Sequence, residues 1–184
     1  VIATELMTSF RLWKSLLGTI SQNEILTEKR ILMDAPFFYI GKSGENACIL
    51  HYTANNQPLK KGELVLIDAG GEYENYAADI TRTFPVSGIF SPEQKQIYEL
   101  VLKAHDEAIA LIKPGLAWCS IQQKILRIIT EGLCALNILN GSIEELISTE
   151  AYKPFYMHQS GHWLGLDVHD AGSYKIKNEW RLLE

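Results

Sequence analysis

Two aspartates in the stretch L-V-L-I-D-A-G-G-E-Y-E-N-Y-A-A-D-I-T-R-T-F are the residues with the clearest chemical potential. Asp68 closes the apolar run Leu64–Ile67, Gly70 and Gly71 interrupt it, and a strand-like composition resumes from Tyr76 to Phe84. Two such runs around a short polar, glycine-containing segment predict a β-hairpin. With its tip at Tyr73-Glu74, positions whose numbers sum to 147 face each other, and Asp68 meets Asp79. Like charges directly opposite are unfavourable unless a positive charge lies between them, and a divalent cation is the simplest one. The same residues also read as a turn aspartate and a strand-end charge in water, and the hairpin alone does not choose.

A second cluster, H-Q-S-G-H-W-L-G-L-D-V-H-D, runs from residue 158 to 170 and holds His158, His162 and His169. Imidazole binds transition metals and titrates near neutrality, so such clustering serves ligation or proton transfer. The spacing of His158 and His162 would suit one helix face, but Gly161 and Gly165 argue against a helix. The alternation of Leu164, Leu166 and Val168 predicts a half-buried strand with Asp167 and His169 on its other face. A histidine-rich loop with satisfied side chains is the competing reading.

With S-G-E-N-A-C-I-L-H-Y-T-A-N-N, Y-A-A-D-I-T-R-T-F-P-V-S-G and M-H-x-x-G-H-W-L-G-L-D-V-H-D, these blocks resemble the bacterial Xaa-Pro aminopeptidase (aminopeptidase P) family. The likeness runs nearly without gaps from about Gly44 to the last residue. It implies a pita-bread (creatinase/aminopeptidase) fold of mixed α/β (α+β) class, an antiparallel curved sheet with helices on its outer face. It also implies a dinuclear manganese site, with Asp68 and Asp79 as the first ligands, Asp79 bridging, and His162 as the third. His51, His158 and His169 resemble the histidines lining the substrate cleft, which orient the peptide and stabilise developing charge. The implied partner is a peptide with proline in its second position, and a homo-oligomer is compatible with the family. Two further glutamate ligands follow a Pro-Gly-Met turn in that family, and the 184 residues end at Trp180–Glu184, where that turn is expected. The expectation is therefore a truncated pita-bread domain over residues 41–184, impaired in isolation, preceded by an atypical helical segment over residues 1–40.

Alternative functions are a Xaa-Pro dipeptidase with the same ligand types, and a non-catalytic peptide-binding remnant of the fold. A methionine aminopeptidase is disfavoured by the sequence around the histidines.

The elements that must position these groups are also legible. Ile2, Leu6, Phe10, Trp13, Leu16, Leu17 and Ile20 predict an amphipathic first helix. Ser91, Pro92 and Gln94 form a capping-box signature for a second helix, which Lys113-Pro114-Gly115 ends, with Ile97, Leu100, Ala104, Ala108 and Leu111 as its buried stripe. A third helix is expected from Ser120 to Leu136, a short fourth capped by Ser142, and strands at the end.

A formal charge of −5 with no basic run argues against nucleic-acid or anionic-membrane surfaces. No apolar stretch approaches the roughly 20 residues that span a bilayer. Cys48, Cys119 and Cys134 are odd in number and lack metal-type spacing, which predicts buried free thiols in a reducing, cytoplasmic setting.

Overall fold

In a computed structural model, the described residues are 39–49, 54 and 57–184. The amphipathic helix expected within residues 1–40, and His51, lie outside them. The chain divides into two compact units. One comprises the described residues up to Ile89 with Trp163–Asp170, and the other Phe90–His162 with Ala171–Glu184.

The first unit is built on an antiparallel sheet in which β2 (Leu64–Ala69) lies between β1 (Tyr39–Ser43) and β5 (Ile80–Pro85). Beyond Ala69 the β2–β5 hairpin continues as the short pair β3 (Glu72–Tyr73) and β4 (Tyr76–Ala77). The expected hairpin is present, but its register differs. Glu72 pairs with Ala77, Tyr73 with Tyr76, and Asp68 with Thr81 rather than Asp79. The tip is therefore Glu74-Asn75, one residue later than expected. Both tip residues have left-handed backbone, φ 50° and 68°. Such a two-residue turn matches the right-handed twist of the flanking strands, and Asn tolerates this conformation better than most residues.

The second unit is helical. Helix α1 (Pro92–Leu111) begins with a complete capping box: Gln94 N–H donates to Ser91 Oγ at 3.2 Å, and Ser91 N–H donates to Gln94 Oε1 at 2.9 Å. Such a cap contributes about 1 kcal/mol relative to Ala. Helix α2 (Trp118–Ala135) starts two residues before the expected Ser120 and has no side-chain cap at Ala117. Instead, Trp118 N–H donates to the Arg181 carbonyl at 2.9 Å, which satisfies the first N–H of the helix, and Leu183 N–H donates to the carbonyl of Leu116 just before it at 2.9 Å. A short α3 (Ile143–Ser148) carries the predicted Ser142 cap. The strand-rich end is reduced to one small hairpin, β6 (Lys175–Ile176) and β7 (Glu179–Trp180).

Ala104 of α1 and Ile128, Ile129 and Leu133 of α2 form the buried cluster, with Leu100, Ile125, Leu139 and Tyr156 packed on it. The α1 stripe is thus Leu100, Ala104 and Ala108, at successive four-residue steps. Ile97, expected in that stripe, is 39% exposed. Cys48 is exposed, and Cys119 and Cys134 are half-buried free thiols, which corrects the expectation that all three are buried.

Candidate metal and peptide site

Asp68 ends the central strand, where main-chain pairing to Ile40 on one side and Thr81 on the other fixes its position. Asp79 precedes β5 by one residue and stands two positions from Thr81, diagonal to Asp68 across the ladder. Ala78 N–H donates to the Gly71 carbonyl at 2.8 Å, which carries the same register through the break between the two parts of the hairpin. Diagonal neighbours have Cβ atoms roughly 7 Å apart or somewhat less, within reach of groups that share a ligand. Both aspartates are half-buried. The predicted face-to-face pair is replaced by a diagonal one.

Trp163–Asp170 belongs to the same unit as the hairpin. Ala77 N–H of β4 donates to the Gly165 carbonyl at 2.8 Å and ties this segment to the hairpin arm leading to Asp79. The segment is not the expected strand. Asp170 N–H closes back on the Trp163 carbonyl at 3.0 Å and Gly165 N–H on the Asp167 carbonyl at 3.2 Å, so its polar main chain is used in local turns. Leu166, assigned to a buried strand face, is 61% exposed as a result. Gly165 permits the close turn: a Cβ there would lie 1.9 Å from Asp170 Oδ2. His169 is exposed in this segment.

His158 and His162 belong to the helical unit, where His158 is exposed and His162 half-buried. Their segment is bonded to α2 through Gln122, a residue the sequence reading passed over. Ser160 N–H donates to Gln122 Oε1 at 2.9 Å, and Gln122 Nε2 donates to the His158 carbonyl at 3.3 Å. Tyr156 Oη and Ser160 Oγ are 2.9 Å apart, and burial pushes the Tyr156 hydroxyl above its ordinary pKa. One signal could have found Gln122. It lies three residues before Ile125 and seven before Ile129, a polar residue on an apolar helical stripe.

Among the described residues, no three His, Cys, Asp or Glu side chains converge closely enough to hold a metal ion. The donor chemistry of the Asp68–Asp79 pair nevertheless fits one. Carboxylate oxygens on one ladder suit a hard divalent ion. The profile of metallopeptidase family M24 matches residues 4–184. The chain belongs to this family.

Within the M24 family, the chain is 57% identical over 141 residues to a Xaa-Pro aminopeptidase of Haemophilus influenzae, covering 77% of this chain and 33% of that protein. It is 50% identical over 142 residues to the Escherichia coli Xaa-Pro aminopeptidase, covering 77% and 32%. Among solved structures, Pseudomonas aeruginosa aminopeptidase PepP matches with a TM-score of 0.78 at 56% identity, over 79% of this chain and 33% of that one. A zinc-substituted E. coli aminopeptidase P in complex with product matches at 0.76 and 49% identity, over 79% and 33%. The M24 chain spans about a third of the length of the curated relatives it matches. Its fold is the mixed α/β pita-bread fold of these aminopeptidases.

Proposed function

We propose that the protein carrying this chain is a manganese-dependent aminopeptidase that hydrolyses the bond between an N-terminal residue and a following proline. The observation that carries this reading is the 57% identity to a Xaa-Pro aminopeptidase, in a chain whose hairpin places two aspartates diagonally on one ladder. Asp68, Asp79 and His162 would hold the metal. When bound, it supplies a water of lowered pKa that is nucleophilic near neutral pH.

The remaining roles fall to the histidines. His51, His158 and His169 would orient the peptide and donate hydrogen bonds to the oxygen on which negative charge develops. An X-Pro bond is a tertiary amide with no N–H to recognise, so selection rests on the shape of the ring and on the charged N-terminus. Its leaving nitrogen must also gain a proton. The three free thiols fit a reducing compartment, and we place the protein in the cytoplasm.

Purified protein loaded with Mn²⁺ is expected to release the first residue from X-Pro-containing tripeptides and longer peptides, and to leave X-Ala controls intact. Chelation should abolish the release and added Mn²⁺ restore it. Cleavage confined to X-Pro dipeptides would identify a dipeptidase instead, and peptide binding without release would identify a non-catalytic module.

A further inference from the structure

We infer that Gln122 of α2 is a positioning residue: its side-chain amide holds the 158–162 segment, and with it His158 and His162, in a single conformation. The assignment of its two ends is unambiguous. A main-chain N–H can only donate and a carbonyl can only accept, so the end facing Ser160 N–H is oxygen and the end facing the His158 carbonyl is nitrogen. One amide therefore bonds both flanks of Gln159, with neither polarity reversed.

The Ser160 hydroxyl also donates to Gln122 Oε1, which leaves Ser160 Oγ to accept from the Tyr156 hydroxyl. Tyr156 packs against the Ala104, Ile128, Ile129 and Leu133 cluster, so the relay ends in the helical core. On the next residue, Gly161 lies against the Trp118 ring, which would be 3.7 Å from a Cβ at that position. The segment thus touches α2 at its entrance through Trp118 and one turn further along through Gln122. His158 and His162 flank this anchored stretch.

Gln122 touches neither substrate nor metal in this scheme and acts through its bonds to His158 and Ser160 of the segment. The inference rests on the aminopeptidase reading for what His158 and His162 do, but not for the anchoring itself. Amide hydrogen exchange of the protein separates the two. In Gln122→Leu, exchange at the Ser160 amide should accelerate about tenfold or more, the loss of one hydrogen bond, while amides of Ile128–Leu133 keep their protection. In Mn²⁺-loaded protein, kcat on an X-Pro peptide should fall about 10–100-fold, the usual loss when a residue that orients a ligand is removed, with KM little changed. Gln122→Glu keeps the acceptor for Ser160 and should recover part of both effects.

Unchanged Ser160 exchange in Gln122→Leu overturns the inference, as does a fall in kcat matched by an equal rise in exchange throughout α2. Should the unsubstituted protein release nothing from X-Pro peptides, the aminopeptidase reading fails, and the exchange data alone then decide whether Gln122 anchors the segment.

Discussion

Replacing Asp79 by Asn is expected to remove most bound Mn²⁺ and to lower kcat/KM on an X-Pro peptide by more than about 100-fold, while the melting temperature hardly moves. Even a residue that only orients a metal ligand is worth about 10–100-fold, and Asp79 is a proposed ligand. Asn preserves the volume and one oxygen but removes the charge that attracts the cation. The fold should tolerate the change, because Asp79 lies in the break between β4 and β5, outside the strand pairing of either. His169→Ala provides the contrast. As a proposed donor to the developing oxyanion, His169 should cost turnover about 10²–10³-fold while metal content stays near that of the parent. Metal analysis and steady-state kinetics on the same preparations test both. A proportional loss of Mn²⁺ in His169→Ala would move that histidine from cleft to ligand set. Full metal content in Asp79→Asn would remove Asp79 from it.

What was legible in the sequence follows the range of the interactions involved. Helix α1 was readable at its start because its signals are local: Ser91, Pro92 and Gln94 specify their bonds within three residues. The hairpin was readable in outline, since an apolar run, a glycine break and a β-branched run admit few other arrangements. Its register was not, because Y-E-N-Y lacks the Asn-Gly pair that would have marked the tip, and the turn takes Glu74 and Asn75 into left-handed backbone. Moving the tip by one residue changes each cross-strand partner by two, which keeps the face and turns an opposite pair into a diagonal one.

The histidine segment misled for a different reason. Leu164, Leu166 and Val168 alternate as a strand would, but alternation states only which sides are apolar. Here the main-chain groups of Gly165 and Asp170 find partners within the segment itself. Gln122 could be singled out as a polar residue on an apolar helical stripe, but its partners could not, because they are 36 and 38 residues away and only the folded chain brings them together.

Gly70→Ala should be the most disruptive single-methyl change in the described chain, although it touches no proposed ligand. A Cβ at Gly70 would lie 1.7 Å from the Ala78 carbonyl oxygen and 2.5 Å from its carbon. The backbone of Gly70 is outside the left-handed region, so contact alone forbids the side chain. No rotamer change can relieve it, because the obstructing atoms are main chain. Retreat of Ala78 would strain its N–H bond to the Gly71 carbonyl and the neighbouring bond from Ala77 N–H to the Gly165 carbonyl, both 2.8 Å. Overpacking of this kind costs roughly 1–3 kcal/mol, occasionally more, and at this chain length each kcal/mol lowers Tm by about 2–4 °C.

The functional loss should exceed the loss of stability. Ala78 immediately precedes Asp79, so any displacement that admits the methyl group alters the diagonal spacing between Asp79 and Asp68. Gly165→Ala is the matched control: its Cβ meets Asp170 Oδ2 at 1.9 Å, the end of a side chain that can rotate away. The expected order is therefore a lower melting temperature and weaker Mn²⁺ binding in Gly70→Ala than in Gly165→Ala, read by calorimetry and metal titration of the two proteins. Equal melting temperatures and equal Mn²⁺ affinity would mean that the Gly70–Ala78 approach is not what sets the spacing of the two aspartates.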